Sequence, residues 1–388
     1  MTETAIALTD LPDSAAAGRA LGGQIAATLA GAPPDALIVF VSPRYDYEPL
    51  LAALEETCRP RLLVGSSSAG EFTGQAHGEG LACAVALRST TMQFAAALGR
   101  GLRADRAAAA RDLVAAFRGA TTPAYPYRSA LVLTDALAGH ADDLVEHLTL
   151  LTAGTYQFFG GGAGDDGLFR RTHVFYGTAA YTDAAVALEI LSEQPLGVGV
   201  AHGWQPASEP LRVTEAEGMR VVSLNATPAV EVFAAHAERT GQPFDPAEPL
   251  PFFLHNLLGI ETGQGYQLRV PLAVEPDGAV TCAAEIPVGA TVRLMGTSGE
   301  ATAGAAAEAV RRALAQLGDR PPKAALFFDC VATRLRMGKD FGFELRSLER
   351  LLGSAGYAGY NTYGQIARAE GQFSGFHNCT AVVCVISE

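Results

Sequence analysis

The sequence predicts an α/β (α+β) fold, a layered sandwich of mixed sheets flanked by helices and built on an internal strand-helix-strand-strand repeat. Three observations predict it. Apolar residues make up 49% of the 388-residue chain and charged residues 18%, enough to bury a large core. Short β-rich runs alternate with stretches of helical periodicity. The order strand, loop, helix, strand, Gly-rich turn, strand occurs three times.

The first occurrence is "ALIVFVSP" (36–43), a helix "YEPLLAALEETC", then "RLLVGSSSAGEF" and the apolar run "LACAVALR". An Ala-rich amphipathic helix follows at 102–117. The second occurrence is "ALVLTDALAG" (130–139), a helix with Leu144, Leu148 and Leu151 at helical spacing, "YQFFGGGAGDDG" and "DAAVALEIL". A different region intervenes. It holds a buried strand at 196–206, a hairpin around Glu217-Gly218, a helix stopped by Gly241 and a strand pair around Asp277-Gly278. A long helix at 298–318 ends it. The third occurrence is "AALFFDCVAT" (324–333), "FGFELRSLERLLG", "GYNTYGQIAR" and "CTAVVCVIS". The turns close on Gly70-Glu71, Gly164-Asp165 and Gly364-Gln365. Gly65, Gly160 and Gly364 are expected at strand ends, at least one with positive φ. The Pro-rich stretch 241–251 is the linker candidate, and the chain divides into domains at 1–225 and 226–388.

The net charge of −13 argues against nucleic acid, whose phosphates need a basic face. No apolar run reaches the roughly 18 residues of a membrane helix, and Glu3 and Asp10 stand where a signal peptide carries basic residues. A cytoplasmic protein is expected. The six cysteines form no CxxC pair; Cys83, Cys282, Cys379 and Cys384 read as small buried hydrophobes of apolar strands. The opening turn misses the G-x-S-x-G spacing of a nucleophile elbow by one residue, and no lysine makes it a phosphate loop. Ser66, Ser67 and Ser68 are therefore not expected to act as nucleophiles.

The pieces "VGSSSAGEF", "GGGAGDDG", "VGVAHGWQP", "VTEAEGMRVVSLNATPAVEVF", "IPVGATVRLM", "LFFDCVATR", "AGYNTYGQI" and "HNCTAVV", in this order, resemble the FIST sensory family of adjoining FIST N and FIST C domains. The resemblance runs from about Ala36 to Ile386. It implies a bacterial signal-transduction protein that senses a small molecule. It also implies similarity to stand-alone members that carry haem, sense nitric oxide and act on a partner histidine kinase or cyclic-di-GMP enzyme. This chain reads Tyr363-Gly364-Gln365 where the family has Tyr-Gly-Glu, and Cys330 to Arg334 carries one residue more than the family's C-x-x-R.

The candidate ligand-binding residues are Cys330, Arg334, Glu344, Tyr363, Gln365 and Asn378. Arg334, paired with Glu344, offers a bidentate fork for a carboxylate. The strand after 324, the turn at 361–365 and the strand start near 378 are expected to meet at one sheet end, with Tyr363 and Phe376 as apolar walls. His377, and His202 beside Trp204, are the candidates for haem, with His377 as the metal ligand. No CxxCH is present, so haem would be held without thioether bonds. The expected function is a non-enzymatic sensor that binds a small ligand, with haem as a possible cofactor, and signals through a partner protein, without nucleic acid or membrane. The alternatives are a hydrolase or transferase using Cys330 or a serine, and an interaction scaffold.

Overall fold

The computed structural model describes residues 1–368 and 374–387. Its first repeat starts earlier than the sequence signal, with β1 (Thr2–Thr9) and α1 (Ser14–Thr28). It continues through β2 (Ala36–Val41), α2 (Tyr47–Cys58), β3 (Leu63–Ser67), a hairpin of β4 (Glu71–Thr73) and β5 (His77–Gly78), and β6 (Ala82–Ser89). The second has the same order: β7 (Met92–Arg100), α3 (Arg106–Ala115), β8 (Tyr127–Thr134) and α4 (Ala141–Leu151). Then come β9 (Gln157–Gly162), β10 (Val174–Tyr176), β11 (Ala179–Tyr181) and β12 (Ala184–Ser192).

The third repeat opens with β13 (Gly197–Ala201) and is then interrupted by an inserted module. The module holds β14 (Gln205–Pro206), β15 (Leu211–Glu217), β16 (Arg220–Leu224), β17 (Thr227–Pro228), α5 (Ala229–Thr240) and α6 (Leu250–Phe253). It ends with β18 (Leu257–Thr262), β19 (Gly265–Arg269), β20 (Pro271–Val274), β21 (Val280–Cys282) and β22 (Thr291–Gly296). The repeat resumes with α7 (Gly299–Leu317), β23 (Pro322–Cys330), α8 (Val331–Met337), α9 (Gly342–Leu352) and β24 (Gly356–Thr362). A hairpin of β25 (Gln365–Arg368) and β26 (Ser374–His377) and the last strand β27 (Ala381–Ser387) complete it.

The three repeats build three sheets of one design. In each, two strands joined by a helical crossover are parallel: β2–β3, β8–β9 and β23–β24. The repeat's last strand, β6, β12 or β27, lies antiparallel beside the first of them, and its opening strand closes the edge. The hairpin that follows the Gly-rich turn does not stay at home. β4–β5 of the first repeat extends the third sheet, β10–β11 of the second extends the first, and β25–β26 of the third extends the second. Strands from both sides of residue 225 therefore share sheets.

The inner faces of the sheets meet in one core. Phe40 lies 4.5 Å from Tyr360, and Phe159 lies 6.3 Å from Phe328, measured between ring centroids. Helices α1 and α2, α3 and α4, and α7 and α9 cover the outer faces. The central strands are buried on both faces, which is why they read as unbroken apolar runs.

The repeated glycines answer to packing. A Cβ at Gly65, Gly160 or Gly359 would sit 2.1, 2.1 or 1.9 Å from the carbonyl oxygen of Val39, Val132 or Phe327 on the parallel neighbour. The repeat-equivalent set is therefore Gly65, Gly160 and Gly359. This corrects the expected placement: Gly65 and Gly160 lie inside strands, and only Gly364 lies in a turn. Gly160 and Gly364 do have positive φ, +140° and +102°.

The turns are locked to one another by backbone hydrogen bonds. Ala69 N–H donates to Asn361 O and Asn361 N–H to Gly70 O; Gly162 N–H donates to Gly364 O and Tyr363 N–H to Gly162 O. Gly164 N–H donates to Ser67 O and Asp166 N–H to Ser68 O, which closes the cycle. Ser66, Ser67 and Ser68 are buried within this junction.

Candidate ligand-binding site

Cys330 ends the buried strand β23 and caps α8. Strand end, helix start and the exchanged turn place it at the wall of an apolar cavity of about 440 Å³. The cavity lies between the repeat core and the inserted module. The core contributes Leu137, Phe169, Cys330, Ala332, Tyr363 and Asn378; the module contributes Met219, Leu250, Leu254, Val270, Leu272 and Ala283. A wider, somewhat more open groove of about 950 Å³ runs along Ala303, Ala307, Phe343 and Arg346. A ligand pocket needs apolar walls with a few placed polar groups, and the smaller, half-open cavity has both.

Of the sequence candidates, Cys330, Tyr363 and Asn378 line the cavity. Tyr363 presents its ring, stacked on Phe169 at 4.3 Å; its hydroxyl is turned away, donating to the Asp165 carboxylate and accepting from Gly167 N–H at 2.9 Å. Asn378 is 2% exposed. Its Nδ2 donates to His377 O at 3.3 Å, while its Oδ1 has no hydrogen-bond partner among the described residues. A buried amide oxygen left so costs about 1 to 3 kcal/mol, which a donor brought by a ligand recovers.

Gln365 stands behind Cys330. Its Oε1 accepts from Thr380 N–H at 3.2 Å, which fixes the amide's orientation, and its Nε2 donates to Thr362 Oγ1 at 2.6 Å. The Cys379 side chain first, then the backbone N–H groups of Cys379 and Ala332 and the Gln365 side chain, bring the Cys330 thiol down to about 6 against the pull of burial. The Cys379 thiol is correspondingly held well above its ordinary value. Cys379, expected in an apolar strand, sits instead in the turn before β27, at φ +48°.

The remaining candidates lie elsewhere. Arg334 turns away from the cavity and pairs with Glu79 of the first repeat at 2.7 Å, not with Glu344. Glu344 is buried beside Asp329 and Arg336; burial pushes its carboxyl up to about 8 and, with the neighbouring Glu344, holds Asp329 well above the usual range. Phe376 covers Gly364 and packs with the α3–α4 layer instead of forming a cavity wall.

His377, expected at the start of the last strand, instead ends β26, paired with Gln365. It is buried off the cavity wall, where desolvation and then Arg269 bring its ring down to about 3. His202 also stands off the wall: its Nε2 lies 3.0 Å from Tyr266 O, and its Nδ1 accepts from Trp204 N–H at 3.3 Å. Neither imidazole fits haem ligation in this cavity. Among the described residues, no three of His, Cys, Asp and Glu gather as a metal site. None of the described helices is long and apolar enough to cross a membrane.

Comparison with known proteins places the chain. Two uncharacterized proteins of Mycobacterium tuberculosis, from strains CDC 1551 / Oshkosh and ATCC 25618 / H37Rv, are each 27% identical over 401 residues, covering 97% of this chain and 97% of their own. Solved chains of T. maritima PurL, complexed with AMPPCP or FGAR, align with 99% of this chain and 72% of theirs at 13% and 11% identity, with TM-scores of 0.24, too low to bear on function. A FIST N domain matches residues 35–227 and a FIST C domain matches residues 229–368. FIST domains are associated with sensory signalling. By these two adjoining matches, the chain belongs to the FIST family.

Proposed function

We propose that the protein senses a small, mainly apolar ligand held between the repeat core and the inserted module, and reports it to a partner protein. The observation that carries this reading is the cavity itself: apolar walls with Asn378 among them, whose buried Oδ1 has no hydrogen-bond partner among the described residues. Phe169, Leu250 and Leu335 line it yet are 47%, 38% and 47% exposed, an apolar rim that an apolar ligand would cover. The walls come from segments far apart in the chain. A ligand touching all of them favours one setting of module against core, and such a population shift is a signal a partner can read. A histidine kinase or cyclic-di-GMP enzyme is the partner class the family resemblance implies. Binding is favoured over turnover because, among the described residues, no histidine that could serve Cys330 as a base lines the cavity.

Titration with the fluorescent probe N-phenyl-1-naphthylamine tests the reading. Ala283→Trp fills the cavity from the module side and should weaken the probe by about tenfold or more, equivalent to 1.4 kcal/mol, with the fold retained. Unchanged binding would place the ligand elsewhere. The finer proposal of haem and nitric oxide, with His377 or His202 as ligand, gains no support from where these rings lie. An absorption scan after haem reconstitution decides it, since a Soret band that responds to nitric oxide and is lost in His377→Ala would restore it.

A further inference from the structure

We propose that Cys330 captures its ligand covalently, and that the ligand class is an apolar enal or enone carrying a hydroxyl, such as a hydroxyalkenal. This rests on the cavity being the sensory site and goes further by naming the chemistry. Three features of the wall match three parts of such a molecule. The aliphatic lining takes the hydrocarbon tail. Asn378 Oδ1, buried and without a partner among the described residues, accepts from the hydroxyl. The Cys330 sulfur, on the same wall, faces the electrophilic carbon.

The local chemistry equips Cys330 for addition. Its surroundings, the Cys379 side chain first and then backbone N–H groups and the Gln365 amide, favour the thiolate. A carboxylate in place of Gln365 would repel a thiolate, so the departure from Tyr-Gly-Glu suits a sulfur anion. The other titratable or charged groups nearby are Asp329 on β23, Glu344 on α9 behind it, and Arg336 on α8. At pH 7 such a thiol is about nine-tenths ionised, against roughly one-thirtieth for an ordinary cysteine.

The step balances without a co-reactant. The thiolate attacks the β-carbon, a carbon–sulfur bond forms, and the carbon–carbon π bond breaks. Its electron pair moves to the α-carbon and carbonyl oxygen as an enolate. The α-carbon then takes a proton from the Cys379 thiol, which regains the one Cys330 released. The product is a thioether.

The experiment uses the full chain with 4-hydroxy-2-nonenal, read by intact mass and peptide mapping. One adduct per chain is expected, on Cys330, forming at pH 6.5 about tenfold faster in the folded than in the urea-unfolded protein. Its rate should be half-maximal near pH 6, and Gln365→Glu should move that midpoint upward. Hydroxynonenal should outpace 2-nonenal on the wild type, and Asn378→Ala should erase the difference. Label spread over the cysteines, or a Cys330 rate that folding does not raise, overturns the proposal. Displacement of N-phenyl-1-naphthylamine by 1-nonanol is measured in parallel on the wild type and Cys330→Ser. Displacement without adduct overturns covalent capture and leaves the cavity reading standing; neither displacement nor adduct overturns both.

Discussion

Glu71 and Gln365 occupy equivalent places and show how one atom changes a residue's energetics. Glu71 accepts from Ser68 Oγ–H and from Leu81 N–H; Gln365 donates to Thr362 Oγ1 and accepts from Thr380 N–H. The contacts match, but burial holds the Glu71 carboxyl well above the usual range. As pH rises past about 4.3, the unfolded chain releases this proton first, so stability falls with rising pH. Glu71→Gln should keep the contacts and flatten the slope, leaving the variant about 1 kcal/mol or more stabler at pH 8, read by urea denaturation at pH 5 and 8. His377 has the opposite sign. The unfolded ring protonates below about 6.5, whereas the folded ring stays neutral to about 3, so stability is lost as pH falls between those values, by at most ~1.4 kcal/mol per unit. Its ring resonances should show no titration between about pH 4.5 and 8; a midpoint near 6.5 would contradict this burial.

At the scale of elements, glycine decides how closely backbones approach. A Cβ at Gly197 or Gly199 of β13 would meet the carbonyl oxygens of Ala313 or Ala309 at 2.0 or 1.7 Å, so α7 lies directly on that strand. Gly304, on the same helix, has nothing within 4 Å of an added Cβ. Gly304→Ala should therefore stabilise by about 0.5 to 1 kcal/mol, the ordinary helix-propensity gain. Gly359→Ala should destabilise by about 2 kcal/mol or more, because the Phe327 carbonyl cannot yield without parting the parallel strands. Equal effects in chemical denaturation would refute the packing account. Arg269 joins elements in another way. It carries an ion pair with Asp142 of α4 at 2.7 Å and donates to Phe376 O at 3.2 Å, tying β19 of the module to the second repeat and to the third repeat's hairpin that extends the second sheet. Arg269→Met should cost about 2 kcal/mol, below the range for fully buried pairs because Asp142 is partly exposed.

For the whole molecule, hairpin exchange makes the three repeats one cooperative body. Fragment 1–227 lacks β25–β26, which extend the second sheet, while fragment 229–388 lacks both neighbours of its own sheet, β13 and the β4–β5 hairpin. Each would expose sheet edges and half of the shared aromatic core. Expressed alone, neither fragment should unfold cooperatively; expressed together, they should co-purify, and the full chain should unfold in one transition. Two independent sigmoidal transitions in the separate fragments would show that the exchange does not bind them.

The sequence by itself determined the fold class, the three-fold recurrence from each central strand onward, the approximate extent of helices such as α3, α5 and α7 with the glycines that end the last two, and the family. These depend on local periodicity and turn chemistry, which neighbouring residues display. It also marked Cys330, Tyr363 and Asn378, because strand ends beside Gly-rich turns are local signals. It did not reveal β1–α1 or β7–α3 as parts of the repeat, since their pattern is carried by interchangeable alanines and glycines. Only the tertiary structure decided where each hairpin pairs, because period-two alternation leaves a strand's partner unstated. For the same reason Arg334 went to Glu79 of the first repeat, Cys379 came to Cys330, and Met219, Leu254 and Leu272 came to wall the cavity. Contacts across more than a hundred residues follow from how three sheets close on one core, and that closure is a property of the assembled chain rather than of any stretch of it.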